Sequence, residues 1–133
     1  MLSFGRAAAT HLINTSTMIT LYGIPNCDTV KKARTWLADQ QQDFNFHDFK
    51  KQGLSAGQVK HWLTSVNWET LVNKKGTTWR ALSDERKAQI VDAESAIALM
   101  LENPSVIKRP VLQRADASHV GFSDAQYREI FGL

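Results

Sequence analysis

Residues 18–22 read Met-Ile-Thr-Leu-Tyr, an apolar run stopped by Gly23 and Pro25. That pattern predicts a short strand and a turn. Over 29–41 the apolar Val30, Ala33, Trp36 and Leu37 recur at helical spacing, with Lys31, Lys32 and Arg34 on other faces, which predicts an amphipathic helix. Residues 43–49 mix polar positions with Phe44, Phe46 and Phe49, the signature of a half-buried strand whose phenylalanines belong to a core. Two strands joined by a helix form a βαβ unit, hence parallel neighbours and a right-handed crossover.

A helical block follows. Ser55 is placed to cap a helix over 56–66, with Val59, Trp62, Leu63 and Val66 on one face. A short helix is expected over 68–72, then a loop over 73–80. Ser83 or Asp84 caps a further short helix to about 91. An apolar helix over 92–102 turns Ala93, Ala96, Ile97, Met100 and Leu101 inward and is stopped by Asn103-Pro104. The last third returns to strands, over 106–113 and 119–122, and ends in a helix capped by Ser123 with Asp124 in its first turn. Pro110 inside the first of these strands restricts it to an edge, a bulge or a special turn. The order predicts one α/β domain, a three-layer sandwich with a mixed sheet and a helical insert at about 54–103.

Composition narrows the class. A chain of 133 residues buries a core without disulfides or a structural metal. One cysteine excludes an internal disulfide, and the scattered His11, His47, His61 and His119 have no zinc-ligand spacing. A net charge of +3 favours anionic partners in general but is too weak a signal for nucleic acid. No apolar run is long enough to span a bilayer. Residues 1–17 contain Arg6 and His11 but no acidic residue and no sustained apolar stretch. They are expected to be a disordered extension rather than a secretory signal, with Met18 available as a start.

The chemistry centres on Cys27. It stands where the first helix should begin, and unpaired amides there favour an anion, which lowers a thiol's pKa. Its neighbours Asn26, Asp28 and Lys31 are polar, which argues against an inert buried thiol. Asp28 adds a like charge that opposes thiolate formation unless its side chain faces away.

Four blocks then carry a resemblance: Cys-Asp-Thr-Val-Lys-Lys-Ala-Arg at 27–34, Gly-Thr-Thr-Trp-Arg at 76–80, Ile-Lys-Arg-Pro-Val-Leu at 107–112 and Val-Gly-Phe-Ser-Asp at 120–124. Together they resemble the arsenate reductase/Spx superfamily, most closely its YffB-type branch. The resemblance implies a thioredoxin-like (glutaredoxin-like) fold with a mixed four-stranded sheet, and a bacterial, cytoplasmic setting that suits a free thiol. It implies that Cys27 is the catalytic nucleophile and that Pro110 matches a cis-proline beside it. Arg109 and Arg80 match family arginines, whose forked donors suit oxyanions or carboxylates. Lys31 and Asn26 complete the expected substrate-binding set.

Two departures bear on function. Spx regulators use a Cys-x-x-Cys switch, and the second position here is Val30. Glutathione-linked arsenate reductases carry a further arginine near the last strand, where this chain reads Ser118-His119-Val120-Gly121-Phe122. The expected activity is therefore a monothiol reductase with glutathione or another small thiol as co-substrate and no tightly bound cofactor or metal, acting as a monomer. The alternatives are an Spx-like protein that binds RNA polymerase, and arsenate reduction proper.

Overall fold

The computed structural model describes residues 18–133; the expected extension over 1–17 lies outside the described residues. A four-stranded mixed sheet runs in the order β2-β1-β3-β4. Its strands are β1 (Thr20–Gly23), β2 (Asn45–Asp48), β3 (Val111–Gln113) and β4 (Ser118–Val120). β1 pairs with β2 in parallel and with β3 antiparallel, and β3–β4 is an antiparallel hairpin. The parallel pair is joined by α1 (Asp28–Asp39), and α7 (Asp124–Phe131) closes the chain. This is the βαβ and ββα arrangement of a thioredoxin-like sheet.

Alternation along the strands builds two cores. Leu21 and Leu112 pair across β1 and β3 and point to one face, where Ala33, Trp36 and Leu37 of α1 and Tyr127 of α7 cover them. Tyr22 and Val111, one residue along, point to the other face. The helical insert covers that side through Val59, Trp62, Leu71, Leu99 and Met100. Trp62, Leu71 and Leu99 are fully buried, and removing each such side chain from water contributes on the order of 1.5–3 kcal/mol.

The insert comprises α2 (Ala56–Trp62), α3 (Trp68–Leu71), α4 (Thr77–Arg80), α5 (Asp84–Ala88) and α6 (Ala93–Glu102), followed by a 3-10 turn at Pro104–Val106. Ser55 caps α2 in a capping box with Gln58, Ser83 caps α5, and Ser123 caps α7. Three expectations need correcting. The stretch expected as a loop over 73–80 contains α4, capped by Gly76 through its extended backbone. The strand expected over 106–113 is divided: Val106 ends the 3-10 turn, Ile107 makes only an isolated bridge to Val72, and β3 begins at Val111. On α6 it is Leu99 that is buried beside Ala96 and Met100, while Ala93 in the first turn is exposed. Among the described residues no helix is long and apolar enough to cross a membrane.

Candidate functional site

The site is built by the turn from β1 into α1. The Cys27 N–H donates to the carbonyl of Ile24 at 3.2 Å, and the Lys31 N–H donates to the carbonyl of Cys27 at 2.9 Å. Cys27 is therefore the N-cap of α1, in extended backbone, and its side chain makes no formed cap hydrogen bond. Gly23 lets the helix start this close to the sheet. A Cβ at Gly23 would lie 2.8 Å from a methyl carbon of Val30, a separation that side chains do not tolerate.

Opposite the thiol stands the segment before β3. The Arg109–Pro110 peptide is cis and Pro110 is buried. The Arg109 guanidinium is anchored through Nη1, which donates to the carbonyl of Ser105 at 2.8 Å. Its Nε is buried and has no partner among the described residues. Cys27, Thr29, Asn73, Lys108, Arg109, Gly121 and Phe122 line one cavity of about 270 Å³. Gly121 has φ near +79°, which favours glycine, and a Cβ there would lie 3.3 Å from Cε of Lys108. The lysine stem thus runs along the cavity wall.

The electrostatics favour a thiolate. Partial burial is the largest single influence on Cys27 and pushes its pKa up. The backbone amide of Val30, the Arg109 guanidinium as donor and as charge, and the amide of Thr29 together outweigh it. The thiol therefore titrates below its ordinary range. Asp28 is exposed and does not line the cavity.

Of the residues singled out from sequence, the structure brings together Cys27 and Arg109, with Pro110 behind them. Lys31 lies one turn along α1 and lines a neighbouring cavity of about 390 Å³ that shares Phe122 with the first. Asn26 is exposed in the turn and outside the cavity. Arg80 is exposed at the end of α4, and it too is outside the cavity. Sequence reasoning misses Asn73 and Lys108. Lys108 stands next to Arg109 in the chain, but Asn73 arrives only through the Val72–Ile107 bridge, a long-range contact with no local signal. Among the described residues no cluster of three histidine, cysteine or acidic side chains is placed to hold a metal ion.

Comparison with known proteins agrees with this geometry. Residues 22–130 match the ArsC family model. A solved structure of a YffB protein superposes with a TM-score of 0.79 at 43% identity, covering 84% of this chain and 96% of that one. An arsenate reductase related protein from Brucella melitensis gives 0.69 at 51% identity, covering 87% and 96%. A Haemophilus influenzae protein is 42% identical over 86% of this chain and 99% of its own length. The global transcriptional regulator Spx 2 of Lactococcus lactis is 27% identical, covering 84% of each chain. The chain belongs to the ArsC family.

Proposed function

We propose that this ArsC-family protein is a monothiol reductase that uses Cys27 as nucleophile and glutathione as co-substrate. The observation that carries the reading is the pairing of Cys27 with Arg109 in one cavity, where the thiol's pKa is lowered. The thiolate attacks the glutathione sulfur of a mixed disulfide. A bond forms between Cys27 and that sulfur, and the electron pair of the broken S–S bond leaves with the other thiol, which takes a proton from solvent. With a single cysteine in the chain, no internal thiol can resolve this adduct. A second glutathione, as thiolate, attacks the bound glutathione sulfur, releases oxidised glutathione and returns Cys27 as thiolate. Two glutathionyl units are thereby joined and one substrate thiol is freed. Arg109 remains charged throughout and holds an anionic group of the incoming molecule. A free catalytic thiol suits a reducing compartment, and we place the protein in the cytoplasm.

A coupled assay tests this reading. Mixed disulfides of glutathione with small thiols should be turned over with release of oxidised glutathione, and Cys27→Ser should abolish turnover. Release that persists in Cys27→Ser would overturn the proposal.

The Spx relatives favour a second reading, binding to RNA polymerase. Calorimetric titration with the isolated C-terminal domain of the polymerase α chain separates the two. Tight association preserved in Cys27→Ser would favour the regulator, whereas a binding protein has no need of a lowered thiol pKa. Arsenate reduction proper is disfavoured. The stretch 118–122 supplies only Gly121 and Phe122 to the cavity, and neither offers a donor side chain. The Gly121 amide is already engaged with the Pro110 carbonyl at 2.9 Å. Turnover with arsenate and glutathione should be weak, and robust turnover would contradict this ranking.

A further inference from the structure

A second cavity of about 210 Å³ adjoins the thiol site and shares two of its walls, Asn73 and Lys108. Its remaining lining includes Glu69, Lys74 and Lys75. The two cavities meet at Asn73 and Lys108, one lined by Cys27 and the other by the loop between α3 and α4, and we read them as one groove. We propose that this groove seats a carboxylate of the molecule joined to Cys27, several bonds away from its sulfur. The inference rests on the exchange chemistry proposed above and adds to it a substrate feature.

The floor of the groove is rigid. The Asn73 N–H donates to the Val106 carbonyl and the Lys108 N–H to the Leu71 carbonyl, both at 2.8 Å, flanking the bridge between Val72 and Ile107. Val72 and Ile107 are themselves buried. Lys108 therefore rises from a pinned base, and Lys74 and Lys75 stand on the exposed turn that begins at the pinned Asn73. Asn73 holds the loop that follows: its Oδ1 accepts from the Lys75 N–H at 3.2 Å, and its carbonyl accepts from the Gly76 N–H at 3.1 Å. The Lys74 ammonium sits 5.4 Å from the ring centres of both Trp68 and Trp79, held between two indoles.

Charge points the same way. Three lysines and one carboxylate, Glu69, line this second cavity. Among the described residues, neither the lysines nor Glu69 is engaged in an ion pair. With Arg109 at the sulfur end, the groove carries cations along its length and an excess of positive charge at its far end. A thiol with a single anionic group next to its sulfur would use Arg109 or Lys108, which line the thiol cavity, and leave Lys75 of the second cavity without a partner. A tripeptide thiol with carboxylates at both ends offers an anionic group for each position.

Stopped-flow exchange of Cys27 with two disulfides tests the groove. One is oxidised glutathione and the other is the uncharged 2,2′-dipyridyl disulfide. In Lys75→Gln, a substitution on the exposed loop, the ratio of the glutathione rate constant to the dipyridyl rate constant should fall about three- to fivefold, the scale of one exposed ion pair. Lys108→Gln should lower the same ratio, and added salt should shrink the gap between wild type and variants. Oxidised glutathione with both glycine carboxylates amidated identifies the source. Lost sensitivity to Lys75→Gln assigns the groove to the glycine carboxylate, and retained sensitivity assigns it to the γ-glutamyl carboxylate. A ratio unchanged in both lysine variants, while the thiol still exchanges, overturns the inference and leaves the reductase reading standing. Failure of Cys27 to exchange with either disulfide overturns both.

Discussion

The Lys31 N–H donates to the carbonyl of Cys27 at 2.9 Å, so the single cysteine is the residue that caps the first helix. A cysteine is a poor capping residue and serine a good one, because a hydroxyl oxygen accepts from the unpaired amides of the first turn. Cys27→Ser should therefore leave the fold intact at neutral pH. Its unfolding free energy should equal that of the wild type or exceed it by up to about 1 kcal/mol. Urea titration of the two proteins checks this, and a clear loss of stability in the serine variant would mean the thiol is held for packing rather than for chemistry.

The lowered thiol pKa has a definite sign in reactivity. Alkylation of Cys27 should rise with pH through a midpoint below that of an unstructured cysteine peptide, because amides of the first helical turn and Arg109 favour the thiolate over the cost of burial. Arg109→Ala should move that midpoint upward. Because the native thiol is the stronger acid, deprotonation adds stability as pH rises through the native value, and this is lost as pH falls back through it. A midpoint at the free-thiol value would remove Arg109 and the helix start from the account.

Gly23 and Val30 set how closely the helix meets the sheet. Gly23→Ala would place a Cβ 2.8 Å from a Val30 methyl, and Val30 is fully buried. Overpacking of this kind costs about 1–3 kcal/mol. The double variant Gly23→Ala/Val30→Ala should lose less stability than the sum of the single changes, since the second truncation makes room for the first. Additive losses in a denaturant double-mutant cycle would contradict the contact.

His119 should make stability depend on pH near neutrality. Burial lowers its pKa, the neighbouring Arg114 lowers it further, and Asp116 only partly opposes them. A histidine that is harder to protonate when folded contributes stability above its unfolded value of about 6.5. That contribution is lost as pH falls below this value. His119→Gln should flatten the fall in melting temperature between pH 7 and pH 5, and an unaltered slope would contradict the assignment.

The first two strands and the first helix are legible in the sequence because their patterns are local, whereas the strand expected over 106–113 begins only at Val111. The buried positions of α1, namely Val30, Ala33, Trp36 and Leu37, are those the helical spacing selects, and the serine caps at Ser55, Ser83 and Ser123 mark their helices. The insert is less legible. α4 is a single turn without a side-chain cap, so Gly-Thr-Thr-Trp reads as loop. In α6 the unbroken apolar run over 96–101 blurs the inward face, so spacing alone selects Ala93 where the fold buries Leu99. At the site, Cys27 and Arg109 stand out through turn chemistry and a recognisable Arg-Pro pair. Asn73 depends on backbone pairing between residues 35 apart in the chain, which no periodicity reports. Arg80 illustrates the converse: its block is recognisable, yet the helix it ends leaves it exposed and outside the cavity.

Mass spectrometry after incubation with oxidised glutathione tests the central claim most directly. It asks whether Cys27 forms the mixed disulfide on which the whole cycle depends. The expected result is a single glutathionyl adduct on Cys27 in the intact protein, faster to form than on an unstructured cysteine peptide, absent from Cys27→Ser and discharged by reduced glutathione. An intact protein that stays unmodified at pH 7 while the peptide reacts would contradict it.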